Sequence, residues 1–342
     1  MRFEERMRAK GVLLAVVAGM AVLVTGCSTA QEVYVGRPAL SVPTESDPAA
    51  ITPAVPAKPG VAHYYSIPSG GVSRRYRLHL PVSGPSGPRP LVIAFHDSGS
   101  SPDLLSKESG LDGAGDRNGV IIAYPQGIGG TWNNGFAANV GKTRGAADVA
   151  LVASLIRDIA IHTRLDELRV TVAGIGDGAV MALRVAAQSP GLIVGAAAIE
   201  GGLIDSPNAP RPTSPVSLLL TRSTEDPRLP WSGTGPLASR PQLGAQETTD
   251  IFRVVNRLPE LPVERNSAIT DRDPGDGAFS FRTRWVGGKH GSNIVMYKID
   301  GAGGPWPGGT GAPGRNGDIG SLTRDFSAAS VVVQFAIESR RL

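Results

Sequence analysis

Cysteine is all but missing from this chain: Cys27 is the only one in 342 residues. A single thiol closes no internal disulfide, and sites built on several cysteine thiolates are excluded with it. Histidine is nearly as scarce. His63, His79, His96, His162 and His290 are the full set, and no spacing of His, Cys and carboxylate suggests a transition-metal site. The Gly-rich stretches Gly127–Gly130 and Gly301–Gly304 lack the lysine of a phosphate-binding loop and read as turns. Neither a metal nor an organic cofactor is expected. Strong charge of one sign is also lacking. The chain has 34 Lys and Arg against 30 Asp and Glu, of which the first 26 residues hold four and two, leaving 30 against 28. Arginine pairs such as Arg74-Arg75 and Arg340-Arg341 read as solvated surface, so no nucleic-acid partner is expected. No internal repeat is visible.

Long apolar runs are absent too, and the one candidate is informative for being short. Arg2, Arg6, Arg8 and Lys10 precede an uncharged run of fourteen residues, Gly11–Val24. A membrane-spanning helix needs about 20 apolar residues, whereas the core of a secretory signal needs about 7–15. Residues 1–26 therefore read as a signal peptide. Val24-Thr25-Gly26-Cys27 then resembles a bacterial lipobox, in which the cysteine thiol receives diacylglycerol and becomes the new N-terminus. A lone exported cysteine is otherwise a free thiol or half of an intermolecular disulfide. The expectation is an exported lipoprotein, anchored outside the cytoplasm to the lipid of the cell membrane by acyl chains, such as palmitate, on Cys27. Residues 27–60 are rich in Pro, Ala, Ser and Thr, with Pro43, Pro48, Pro53, Pro56 and Pro59 too close for a regular element, and read as a tether.

Residues 61–342 alternate strand-like and helix-like segments, which predicts a mostly parallel central sheet with helices on both faces. Val72–Leu80 alternates like an antiparallel edge strand. Leu91–Phe95 and Val120–Tyr124 are uninterrupted apolar runs, as strands buried on both faces should be. Apolar positions in Ala147–Thr163 recur at helical spacing. Arg169–Ala173 then reads as a strand feeding a glycine turn and a helix over Ala179–Ser189. Further strands are predicted at Ile193–Ile199, Val216–Thr221 and Asn293–Ile299, with a closing helix near Ser327–Glu338.

The glycine turn is Gly174-Ile175-Gly176-Asp177-Gly178. A Gly-x-Ser-x-Gly nucleophile elbow belongs between a strand and a helix, its outer glycines letting the two approach closely. The flanks match, and the central hydroxyl is missing. Together with Leu91–Ser100, Gly119–Gly127, Trp132-Asn133 and Asp148, this segment resembles the polyhydroxybutyrate depolymerase and feruloyl esterase group of α/β-hydrolases, over most of residues 60–340. That resemblance implies an α/β-hydrolase fold and an Ser-His-Asp site. It places Asp226, in Thr224-Glu225-Asp226-Pro227, at the triad acid, Gly176 at the nucleophile and Gly304, in Asp300–Gly308, at the base. Serine and histidine are thus both replaced by glycine.

No substitute is evident. Asp177 as a carboxylate nucleophile would put Ile175 at a close-packing position, and it reads better as a helix N-terminal acid. His290 lies at the far end of a seven-residue strand, roughly 20 Å away at about 3.3 Å per residue. His96 stands where the group has a structural histidine. By the same resemblance Asp97, Ser98 and Asp177 belong to the oxyanion loop, where His96-Asp97-Ser98 stands in place of the group's His-Gly pair, and a carboxylate at Asp97 opposes developing negative charge unless it caps a turn and points away. Ser98 and Ser100 offer hydroxyls without a base. Trp132, Trp231 and Trp306, with His96, are expected to line the cleft, or else to be ordinary packing. The expectation is a membrane-tethered, esterase-like domain that is non-catalytic and acts as an envelope binding or interaction protein for a small-molecule, acyl or glycan ligand. The alternatives are an active carboxylic-ester hydrolase or acyltransferase using other groups, and a purely structural lipoprotein.

Overall fold

The order in which the strands meet shows how this chain builds a cleft. A computed structural model describes residues 57–143, 145–235, 238–311 and 319–341. The signal segment, Cys27 and the tether as far as residue 56 lie outside the described residues. In chain order the elements are β1 (Ala62–Ser69), β2 (Val72–His79), β3 (Arg89–Phe95), α1 (Pro102–Ser109), α2 (Leu111–Asn118), β4 (Ile121–Pro125), α3 (Ala137–Thr143), α4 (Asp148–His162), β5 (Leu165–Ile175), α5 (Asp177–Gln188), β6 (Gly195–Ile199), β7 (Ser217–Ser223), α6 (Ala245–Val255), β8 (Glu264–Ala268), β9 (Phe279–Trp285), β10 (Ile294–Asp300) and α7 (Ala328–Glu338). They form one sheet in the order β1-β2-β4-β3-β5-β6-β7-β10-β9-β8. The six strands from β4 to β10 are parallel, and antiparallel strands close both margins. This is the α/β architecture, with the helices on both faces, that the sequence predicts.

Alternation within the parallel strands explains the layers. Leu91, Ile93 and Phe95 of β3 face one core with Val170 and Val172 of β5 and Leu218 and Leu220 of β7, covered by α4, α5 and α6. Val92 and Ala94, with Ala173 and Leu219, face a second core covered by α1, α2 and α7. Strands buried on both sides have no polar face to show, and so they read as continuous apolar runs. In β6, Gly-Ala-Ala-Ala-Ile, small side chains bring helices close: a Cβ at Gly195 would lie 2.7 Å from the Phe335 ring.

The expectation for Val72–Leu80 needs correcting. β2 is antiparallel, but β1 lies outside it as the edge. The turn joining them is Gly70-Gly71, with φ of 61° and 75°, a two-residue hairpin turn that needs positive φ at both positions. Pro68 sits on this true edge strand, where a missing N–H costs no ladder bond. β1, the hairpin β8–β9 and helices α3 and α6 are among the additions to the predicted set.

β3 leads leftward to β4, and β5 returns to the right of β3, so the loops leaving β3 and β5 diverge above the carboxyl ends of the strands. Ligand clefts of open α/β sheets form at such switch points. The loops after β3, β5, β6, β7 and β10 carry Asp97, Gly176, Glu200, Asp226 and Gly304 respectively.

Candidate functional site

The elbow is built as the sequence predicts. Gly176 is held at φ 57°, ψ −120°, between the end of β5 and the first residue of α5. Its flanks work as spacers: a Cβ at Gly174 would lie 2.2 Å from the Gly178 carbonyl, and one at Gly178 would lie 2.1 Å from that of Phe95. Only glycine permits β5, α5 and β3 to meet this closely.

What occupies the place of the absent hydroxyl is the carboxylate of Asp97. A Cβ built on Gly176 would stand 2.4 Å from Asp97 Oδ1 and 2.8 Å from Oδ2. Asp97 Oδ1 accepts the backbone N–H of Ser98 and the backbone N–H of Asp177, each at 2.8 Å. In hydrolases of this fold the residue after the nucleophile and the loop after β3 supply the N–H groups that stabilise the oxyanion. Here both donors are taken by a side chain of the protein itself. Asp97 therefore does not point away. Its carboxylate faces the elbow and fills the space beside Gly176.

The second glycine tells the same story. A Cβ at Gly304 would lie 2.4 Å from Asp226 Oδ2 and 2.9 Å from Arg228 Nη2, so acid and guanidinium fill the space that a side chain at 304 would take. Arg228 Nη1 donates to Asp97 Oδ2 at 3.1 Å, while its Nε lies 3.6 Å from Asp226 Oδ1, which also accepts the Arg228 backbone N–H at 2.9 Å. Burial works against its charge, but Asp97 and Asp226 outweigh it and hold the Arg228 guanidinium above its ordinary value. Asp97, Arg228 and Asp226 form a carboxylate–guanidinium–carboxylate row. Its central member has donors only and cannot take a proton from a hydroxyl. Arg228, two places after Asp226, and Arg240 are site residues that the sequence reading does not single out.

Asp177 is fixed on the other side. Its buried carboxylate is paired with Arg240 and accepts from Asn139 Nδ2 at 3.1 Å, with Thr131 Oγ1 at 3.4 Å. A carboxylate held in this way at the start of a helix is a structural charge. Glu200, at the end of β6, adopts a positive φ of 49° and bonds through both oxygens to Ser223. Burial, the largest cause, pushes its carboxyl up to about 8, with Asp226 adding to it against the pull of Ser223 and Arg222. Burial likewise draws Arg222 down to about 10, despite Glu200 and Asp226 nearby. Asp97, Gly176, Asp177, Glu200, Asp226 and Arg228 all line one open cavity of about 520 Å³.

The aromatic wall expected around this cleft is not there. Trp132 is fully buried, its Nε1 donating to the His96 carbonyl at 2.7 Å and its ring packed edge-on against Phe95. Trp306 is buried in the second core, and Trp231 packs on the first with Lys298 Nζ 5.6 Å from its ring centre. His96 is buried as well: its Nδ1 bonds to the Asp97 carbonyl at 2.7 Å and its Nε2 accepts the Gly127 N–H at 3.0 Å. Both ring nitrogens are thereby committed to the loop. Ser98 lines the cavity with no histidine among the lining residues, and Ser100 is buried beneath. His290 sits in the turn Lys289–Gly291 before β10, at the opposite end of the sheet. Asp148 pairs with buried Arg74 at 2.6 Å and accepts the Asn133 N–H at 2.7 Å, which makes that landmark a structural one. No group of His, Cys, Asp and Glu that could hold a metal ion occurs among the described residues.

Residues 74–227 match the esterase PHB depolymerase family. A curated relative, "Putative esterase NocK" of Nocardia uniformis subsp. tsuyamanensis, is 29% identical over 335 residues, which span 93% of this chain and 96% of the relative. Among solved structures, an acetyl xylan esterase from Aspergillus awamori overlaps 69% of this chain and 92% of its own at 14% identity, TM-score 0.45. A thermostable esterase overlaps 56% and 50% at 17% identity, TM-score 0.37. Both overlaps are loose, and the fold rests on the strand order itself.

Proposed function

We propose that this chain, a PHB depolymerase-like member of the α/β-hydrolase fold, has left serine-esterase catalysis and uses its cleft as a binding site at the cell envelope. The observation that carries the reading is the Asp97 carboxylate, seated where a serine Cβ would be and bonded to both N–H donors that an oxyanion would need. Acyl transfer requires a nucleophile, a base that takes its proton and free donors for the oxyanion. Glycine has replaced the first two, and an aspartate covers the third. A carboxylate fixed in the hole also repels the charge that the hole would have to stabilise.

A serine-directed fluorophosphonate probe tests this on the whole chain. The reading expects no labelling above a heat-denatured control. Stoichiometric labelling at a single serine would overturn it and support an active ester hydrolase or acyltransferase, the activity in the name of the Nocardia relative.

Attachment to the membrane through acylated Cys27 belongs to the same proposal. Its support is the lipobox-like Val24–Cys27 after a short apolar run. No helix among the described residues is long and apolar enough to cross a membrane. Metabolic labelling with a palmitate analogue should mark the protein, and Cys27→Ala should abolish the label and release the protein from the membrane fraction. An unlabelled wild-type chain would refute the anchor.

A further inference from the structure

The ester group itself carries no charge and needs no cation to hold it, so guanidinium groups at a cleft entrance favour an anionic ligand. This cleft has two. Arg228 and Arg240 come from the chain between β7 and α6, and their side chains stay 39% and 37% exposed. Each is tied through Nη1 to a buried aspartate, Arg228 to Asp97 and Arg240 to Asp177. Arg240 is steadied further by the Phe136 ring, 5.5 Å beneath its guanidinium carbon. The Nε and Nη2 of Arg240 and the Nη2 of Arg228 have no hydrogen-bond acceptor among the described residues.

The acids of the same cleft face the other way. Asp97, Asp177, Glu200 and Asp226 are no more than 5% exposed, and each already has an oxygen engaged by a backbone N–H, a side-chain amide or a hydroxyl. The negative groups form the floor, and the unspent donors stand at the mouth. A cation entering this space meets the guanidinium groups first, whereas an anion meets donors arranged for it. With Glu200 holding its proton near neutral pH, the three aspartates are balanced by Arg228, Arg240 and the buried Arg222. A single added negative charge is therefore a smaller electrostatic load than a dianion.

We infer that the cleft takes a small organic acid, its carboxylate held by Arg228 and Arg240 and its body against the apolar lining of Leu229 and Ala238. The cavity, about 520 Å³, is far larger than a bare inorganic anion needs and suits a molecule of several to a few tens of atoms. The ligand would be the acid that an esterase releases rather than the ester that it consumes. This inference rests on the non-catalytic reading above and gives that binding site a ligand class.

The test is calorimetric titration of the whole chain with benzoate, cinnamate and hexanoate, with the methyl ester of each, and with inorganic phosphate. At least one acid should bind saturably and its methyl ester roughly tenfold or more weaker, the scale of one charge-assisted contact. Arg240→Gln should weaken the acid by a similar factor, Arg240→Lys should restore part of the loss, and Lys289→Gln, at the other end of the sheet, should leave binding unchanged. An ester that binds as tightly as its acid, phosphate that binds as tightly as the acids, an Arg240→Gln protein indistinguishable from wild type, or no saturable binding of any of the three acids would overturn the inference. The comparison of acid with ester needs no variant, so a misfolded substitution leaves it decisive. Ester hydrolysis followed in the same samples reports on the non-catalytic reading separately: turnover would sink that reading, while absence of both turnover and acid binding would sink only the inference.

Discussion

The guanidinium of Arg228 meets the carboxylate of Asp97 at 3.1 Å across 131 positions of sequence, joining the loop after β7 to the loop after β3 over the top of the elbow. Asp97 Oδ1 is bonded to two backbone N–H groups and Oδ2 to this arginine, so its side chain closes the cleft floor. Removing one partner of a buried ion pair costs about 3–5 kcal/mol, and a half-exposed arginine places this pair below that range, at about 2–3 kcal/mol. Asp97→Ala should lower stability by that amount in urea unfolding, with Asp97→Asn closer to wild type. Equal stability of all three proteins would show that the carboxylate is not held as described.

Simple reversion should fail. A serine at 176 must adopt φ near 57° and place its Cβ 2.4 Å from Asp97 Oδ1, so Gly176→Ser should cost roughly 1–3 kcal/mol in strain and overpacking. Gly176→Ser with Gly304→His should remain inactive, because Asp97 still covers the oxyanion donors and Arg228 fills the imidazole's room. Adding Asp97→Gly and Arg228→Ala to that pair should bring measurable p-nitrophenyl butyrate hydrolysis. Activity in the double variant alone would show that the two glycines are the whole defect.

Those two glycines were legible because the elbow and the Gly-Pro-Trp-Pro-Gly loop each keep their flanks around the missing side chain. The parallel strands were legible for a similar reason: β3, β4 and β7 are buried on both faces and leave no polar alternation. β8, with all five of its residues exposed or half-exposed, carries no comparable signal, and β1 was hidden although Gly70-Gly71 marks its turn. The row from Asp97 through Arg228 to Asp226 was out of reach, since an arginine in a loop announces no partner until the parallel sheet puts the loops after β3 and β7 at the same carboxyl end. The tryptophans misled for the opposite reason: their motif positions were conspicuous, yet Trp132 and Trp306 are core residues.

Glu200 gives the protein a specific pH signature. Its carboxyl is pushed from 4.5 in the unfolded chain to about 8 in the fold. Within that window the folded state holds a proton that the unfolded state has lost, so this group makes stability fall as pH rises from about 4.5 to about 8, and contributes no further change above. Glu200→Gln removes the titration. Its stability relative to wild type should therefore improve steadily between those pH values when denaturation midpoints are compared. A difference that is constant with pH would contradict the assignment.

Asp148 makes a sharper structural prediction than a catalytic one. Its partner Arg74 is 2% exposed, so Asp148→Ala should strand a buried guanidinium and cost about 3–5 kcal/mol. Thermal unfolding checks this directly. A loss below about 1 kcal/mol, the range of an exposed pair, would refute it.

The central claim, that Asp97 stands in for the oxyanion in a cleft without nucleophile or base, is tested most directly by steady-state hydrolysis of p-nitrophenyl butyrate by the wild-type protein. The expected rate equals that of a denatured control at every substrate concentration. A saturable rate above that control, lost on substitution of a residue lining the cleft, would contradict the claim.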